Sequence, residues 1–390
     1  MNFNDNLWDI SGEITEEILQ FRRTFHKTPE LGFQETNTSN LIKNYLKRFG
    51  IENIHSIGKT GVVAVIEANT PGPTILLRAD IDGLPLIEET GLFFSSENEN
   101  MHACGHDGHI SILLGVARWL INNQSHLKGK VILVFQPAEE IIQGAKEMID
   151  SDFFRNITID RVLGLHIWNQ IELGKVAVNP DIVFASADSF RITIFGEGGH
   201  GALPETTKDP IVIGSSIILI AQTIISRNIS PNKMGVLTFG KFNGGSASNI
   251  IPEKVTLEGT IRSYDENTRK TIIKRLEDLT MSTSNSFGGT AKLEIVSGTP
   301  AVINNTSWAN EVTNFASRVV GNENVIVADP ISVGDDMSEF MKLAPGCYIL
   351  IGARKDGAGP HHNAKFDFSE DSLEVGLKVM IEVTRKFLNY

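Results

Sequence analysis

A chain of 390 residues exceeds what one hydrophobic core organises and predicts about two domains. Its 41% hydrophobic residues exclude a disordered protein, and a formal charge of −12 argues against nucleic acid and anionic membranes as partners. The opening stretch MNFNDNLWDISGEIT has neither a basic region nor an apolar signal core, and Cys104 and Cys347 stand in unlike contexts; both features predict a cytoplasmic protein with reduced thiols.

In chain order, helical periodicity runs over 13–27 and 35–49. Two short apolar runs follow, VVAVIEA (62–68) and TILLRA (74–79). Next come a helix over 107–123, the strand VILVF (131–135), a helix over 140–150 and the strand RVLGLHI (161–167). Continuous apolar strands separated by helices predict an α/β fold with a central mixed, largely parallel sheet flanked by helices. The rhythm then changes. In DSFRITIFG, Phe190, Ile192 and Ile194 alternate with Arg191 and Thr193, the period of a half-exposed strand. GVLTFGKFNGG, EKVTLEGTIRS and AKLEIV follow, with helices over 209–227 and 266–285 between them. The apolar run IVIGSSIILIAQTIIS (211–226) falls short of the roughly 20 residues that span a bilayer. An α+β domain inserted at 183–297 accounts for this part, leaving 1–182 and 298–390 to one larger domain. That domain resumes with helices over 306–319 and 370–387 and a buried strand, GCYILIGA, around Cys347.

Polar residues close the apolar strands. Asp80 ends TILLRAD, Glu139 and Glu140 follow VILVFQPA, and His166 ends VLGLH. Sites in open α/β sheets form at the carboxyl ends of strands, so these side chains are expected in one crevice. MHACGHDGHI (101–110) adds three of the chain's ten histidines and Cys104. Cys104 and His106 share a face only in an extended backbone, so the ligating turn precedes the helix, whose N-terminus favours a thiolate. GPHHNAKFDFSED supplies His361 or His362. Thiolate, imidazole and carboxylate together suit zinc or another late divalent metal, with ligands enough for two ions. Adjacent glutamates cannot point the same way, so one would bind metal and the other act as general base.

Other signals are weaker. GEGGHG (196–201) matches the dinucleotide fingerprint in form, but Pro204 and Pro210 stand where the phosphate-binding helix should start or run, so no nucleotide site is expected. GGSASN lacks the lysine of a phosphate loop, though Asn249 and the nearby Arg262 are within the reach of a substrate. His26, His55 and His126 are expected on the surface. His102, His109, Asp107 and Asp336 stand between a supporting role at the site and plain structure.

The segments RADIDGLPL, MHACGHDGHI, FQPAEE, GLHIW, GGHGALPE, GGSASNIIP, GTIRS, GDDMSEF and HHNAKFDF occur in this order along essentially the whole chain. In them the chain resembles the metal-dependent aminoacylase and carboxypeptidase superfamily. Its branch is similar to the amidohydrolases that include hippurate hydrolase, N-acetyldiaminopimelate deacetylase and indoleacetyl-amino-acid hydrolases. The resemblance implies a catalytic domain of 1–182 and 298–390 and a lid of 183–297 that mediates assembly into a dimer or tetramer. It makes Cys104, His106, Glu140, His166 and His362 the ligands of two divalent ions per subunit, Zn²⁺ or Mn²⁺. Cys104 stands where relatives outside the branch use a bridging aspartate, and Arg78 where they use a histidine. Glu139 matches the general base and Asp80 the acidic group that supports the site. His200 matches the histidine that steadies the carbonyl oxygen, and Asn249 and Arg262 match positions that hold the substrate carboxylate. The implied reaction is hydrolysis of small N-acyl amino acids, with a metallo-dipeptidase or carboxypeptidase as the alternative.

Overall fold

A computed structural model describes residues 12–388. Most of the stretch read for targeting signals therefore lies outside the described residues. The chain divides into two units. The first comprises the residues up to Val183, Ile303–Asp329 and those from Asp336 on; the second comprises Phe184–Val302 and Pro330–Asp335. Residues 298–302 and 330–335, assigned from sequence to the larger domain, go with the second unit: Gly298 and Thr299 pair with Asp188 and Ala187, and Ala185 N–H donates to the carbonyls of Ile331 (3.1 Å) and Val333 (2.8 Å).

The first unit is built on an eight-stranded sheet. Its strands are β1 (Ile54–Ile57), β2 (Gly61–Glu67), β3 (Thr70–Asp80), β4 (Lys128–Gln136), β5 (Arg161–Trp168) and β6 (Val176–Ala177), with Val325–Ile326 and Gly346–Gly352. The order is β1, β2, β4, β3, β5, Gly346–Gly352, β6, Val325–Ile326. From β4 through Gly346–Gly352 the neighbours are parallel, while β1–β2–β4 are antiparallel. The parallel strands are buried on both faces at their C-terminal halves, which is why they read as unbroken apolar runs. Parallel register also aligns their ends. Asp80 pairs with Gln136 across β3 and β4, and His166 with Leu350 across β5 and Gly346–Gly352.

Three helices of this unit are α1 (Gly12–His26), α2 (Thr36–Arg48) and α3 (His106–Asn122). Nearly every residue of α3 is buried, as a helix apolar all round must be. A Cβ at Gly115 would come within 2.6 Å of Ile18 and 2.9 Å of Leu377, so α1 and the helix Asp371–Phe387 cross α3 at that glycine. The expected helix over 140–150 starts only at Gly144. Residues 137–143 form a turn instead, with Ala138 and Ile142 at positive φ (52° and 54°).

The second unit is a four-stranded antiparallel sheet in the order Gly235–Gly244, Lys254–Ser263, Ser186–Phe195, Thr290–Thr299. The helices Pro210–Thr223 and Glu266–Ser286 are capped by Asp209 and Asp265. Their buried stripes, including Ile213, Ile217, Ile272 and Leu276, cover Phe190, Ile192, Ile194 and Leu257 of the sheet. Pro210–Asn228, with its last turn a π-helix, is long and apolar enough to cross a membrane by length and composition (19 residues, mean hydropathy 1.6). The sequence run alone fell short of that length. Its stripe Ile213–Ile217–Ala221–Ile224 is committed to this core.

Candidate metal centre

The turns after β3, β4 and β5 and the start of α3 bring the chemistry together. Ligand atoms of Cys104, His106 and His166 lie within 4.8 Å of one another, and so do those of Cys104, Glu140 and His362. Cys104 is common to both sets. A third set, His106, Glu139 and Glu140, overlaps them. Sequence left His361 and His362 undecided as residues. His362 places Nε2 3.3 Å from Glu140, whereas His361 stacks on Trp168 (4.3 Å) and its Nε2 donates to Ile167 O at 3.1 Å.

The imidazoles are oriented for coordination. His106 Nδ1 donates to the carbonyl of Asp82 (2.9 Å), leaving Nε2 buried with no hydrogen-bond partner among the described residues. His166 Nδ1 donates to Ile167 O (2.7 Å), which turns Nε2 toward Cys104 Sγ at 3.5 Å. Backbone bonds on Nδ1 commonly fix a histidine ligand's tautomer in this way. Burial opposes charge on His106, but Asp80, Asp82 and Glu140 outweigh it and raise its pKa to about 10. Burial, reinforced by His109 and His361, holds His166 well below the ordinary value, so it stays neutral. The surroundings of His106 are thus rich in negative charge, and the donor set of sulfur, nitrogen and carboxylate oxygen fits borderline divalent cations.

His109 forms a further set with Asp80 and His106. Its Nδ1 binds Asp80 Oδ1 at 2.5 Å and its Nε2 accepts Ile167 N–H at 2.8 Å, so both nitrogens are used. Asp80 Oδ2 accepts from Arg78 (2.8 Å) and faces His106 Nε2 at 3.6 Å. Arg78, wholly buried, also bonds Gln136 (2.7 Å) and Tyr348 Oη (3.1 Å) and pairs with Asp336 (3.4 Å). It organises the strand ends from within the sheet.

His26 corrects the surface reading: it is 2% exposed. Its Nδ1 lies 2.9 Å from Asp107 and its Nε2 3.1 Å from Glu88, tying α1 to the first turn of α3. His102 is buried beside it, and burial lowers its pKa to about 4. No local signal marks His26, because its partners lie 62 and 81 residues away.

In the second unit, His200 pairs with Ile250 in a two-residue ladder, and Gly201 N–H donates to Asn249 O (2.8 Å). That brings His200 and Asn249 side by side. His200 Nδ1 accepts Ala202 N–H (3.0 Å). Arg262 stands apart on Lys254–Ser263, half-buried, with Nη1 donating to the carbonyl of Ile261 (3.1 Å).

The profile of Peptidase family M20/M25/M40 matches residues 76–386. The chain belongs to that family. This M20 chain is therefore a hydrolase of amide bonds, as its resemblance implied. It is 37% identical over 377 residues to an N-acetyl-L-cysteine deacetylase of Bacillus subtilis, covering 96% of this chain and 89% of the relative. It is 36% identical over 397 residues to thermostable carboxypeptidase 1 of Saccharolobus solfataricus, covering all of both. Among solved structures, a dinuclear metal-binding M20 peptidase of Bacillus subtilis superposes with a TM-score of 0.81 at 28% identity, over 97% of this chain and 99% of that one.

Proposed function

We propose that this protein is a metal-dependent amidohydrolase that cleaves N-acetyl or aroyl amino acids to a carboxylic acid and a free amino acid. One observation carries the reading: two ligand sets share Cys104, Glu140 belongs to one of them, and Glu139 from the same turn joins Glu140 and His106 in a third. Cys104, His106, Glu140, His166 and His362 would hold two divalent ions, Zn²⁺ or Mn²⁺, which polarise the scissile carbonyl and acidify water. Glu139 accepts the proton of the attacking water and delivers it to the departing nitrogen. Asp80 keeps His109 and His106 in register. By the family resemblance, His200 would donate to the developing oxyanion, and Asn249 and Arg262 would hold the substrate carboxylate. A metallo-dipeptidase or carboxypeptidase remains as the second reading, favoured by the full-length similarity to a thermostable carboxypeptidase.

The lid also supports assembly into a homodimer. Its helix Pro210–Thr223 exposes Val212 and Leu219, the latter at 72%, and one of its two edge strands, Gly235–Gly244, exposes Val236 and Phe242. Apolar surface beside an open sheet edge fits a second copy of the chain. Cys104 and Cys347, both buried thiols, suit a reducing, cytoplasmic setting. The test is a panel of N-acetyl amino acids, N-benzoyl amino acids and dipeptides, assayed with added Zn²⁺, Mn²⁺ and Co²⁺. N-acyl amino acids are expected to turn over fastest. Faster dipeptide cleavage would move the protein to the second reading, and no hydrolysis with any metal would refute both.

A further inference from the structure

The turn that carries Glu139 and Glu140 is braced by two carboxylates that the sequence did not single out. Asp82 Oδ1 accepts Glu139 N–H (3.1 Å), and Asp82 Oδ2 accepts Glu140 N–H (3.0 Å). Glu35 Oε1 accepts Ala138 N–H (2.8 Å), while its Oε2 accepts the Thr60 hydroxyl (2.6 Å). Three successive backbone N–H groups are thus taken up by two carboxylates, and both are buried, Asp82 at 1% and Glu35 at 0% exposure. Burying a carboxylate is costly unless donors replace its water, and charge-assisted bonds from consecutive amides do that. The backbone they hold is strained, with Ala138 at φ 52°. A non-glycine residue persists in that conformation only where its surroundings enforce it. The turn brings both adjacent carboxylates to one imidazole, although an ordinary extended backbone would point them to opposite sides. Glu139 Oε2 and Glu140 Oε1 approach His106 Nε2 separately, at 4.0 Å and 3.8 Å. Asp82 is tied to the same centre again at His106 Nδ1, which its carbonyl accepts at 2.9 Å and its Oδ1 faces at 3.5 Å.

We infer that Asp82 is a positioning residue for the metal centre, setting the Glu140 carboxylate through the backbone of the turn, with Glu35 as its brace. This rests on the metal-ligand reading proposed above. Asp82 touches no substrate, and its main-chain link to His106 survives any side-chain change. A merely structural Asp82 would alter the melting temperature and leave the metal affinity of the folded protein unchanged.

The experiment titrates Co²⁺ into metal-stripped protein well below its melting temperature, with folding checked by circular dichroism, and reads the Kd from cobalt absorption. Asp82→Asn keeps the shape but sets an NH₂ donor against one of the two N–H groups. It is expected to fold and to bind cobalt roughly 10–100-fold more weakly. Glu140→Gln should also bind weakly. The double variant should lose clearly less than the two single losses combined, because Asp82 acts chiefly through Glu140 and only secondarily on His106. Wild-type affinity in folded Asp82→Asn, or additive losses in the double variant, would overturn the inference and leave the metal reading intact. Wild-type affinity in Glu140→Gln would instead overturn the metal reading, and this inference with it. Should Asp82→Asn fail to fold, Glu35→Ala carries the test. Loss of the acceptor for Ala138 N–H is expected to weaken cobalt binding roughly 10-fold, and unchanged affinity would refute the proposal.

Discussion

Replacing His26 by glutamine should make the protein less stable at pH 6 and leave it nearly unchanged above pH 9. Burial disfavours charge on this imidazole, but Asp107 and Glu88 outweigh burial and raise its pKa from 6.5 to about 9. A group whose pKa is raised on folding contributes its full stability below the unfolded value. That contribution is lost as the pH climbs from about 6.5 through about 9. A rise of that size corresponds to about 3 kcal/mol, a large share of the stability of an ordinary domain. Asp107 stays ionised throughout, held well below the usual carboxylate range by His26 and Arg22 against its own burial. The assay is urea unfolding followed by tryptophan fluorescence, since Trp119, Trp168 and Trp308 lie in the first unit and the second has no tryptophan. Wild type and His26→Gln are compared between pH 6 and 10, so that groups common to both cancel. The difference should shrink from about 3 kcal/mol toward zero across that range. A difference independent of pH would refute the reasoning, because it would mean that His26 is neutral in the folded protein.

Glu139→Gln should retain its metal and lose about 10²-fold or more in kcat, whereas Glu140→Gln should lose metal and regain part of its activity when metal is added; reversed phenotypes would exchange the two roles. Cys104→Ser should hold less metal after dialysis, because a hydroxyl supplies no thiolate at neutral pH; full metal content would return Cys104 to a packing role. His200→Ala should keep fold and metal and lose kcat with little change in KM, and a rise in KM alone would make His200 a binding residue. Gly144→Ala would place a Cβ 1.5 Å from the Pro137 carbonyl. It should lower stability by roughly 1–3 kcal/mol or more, seen as a lower Tm, with metal content falling too because the same turn carries Glu140.

Much of the first unit was legible in the sequence because double-sided burial leaves little freedom. VILVF and VLGL are apolar at every position because they sit inside a parallel sheet, and α3 from Ile110 on is almost wholly apolar because it lies between α1 and the C-terminal helix. The residues at the strand ends stood out for the converse reason, since Asp80, Glu139, Glu140 and His166 have no place after such runs unless something there uses them. Even the alternation of Phe190, Ile192 and Ile194 declared a sheet with one covered face.

The pairing of polar atoms was decided by the tertiary structure alone. Glu35 reaches Ala138 across 103 residues, Asp82 reaches Glu139 across 57, and Arg78 reaches Asp336 across 258. Such partners leave no periodic trace, because a hydrogen bond depends on where two distant strand ends happen to meet. For the same reason His26 read as a surface residue, His361 and His362 could not be told apart as residues, and the helix after Glu140 seemed to begin four residues early. Burial is a property of a stretch of chain, and its sequence therefore carries it. The choice of a hydrogen-bond partner is a property of two places in space, and only the folded chain brings them together.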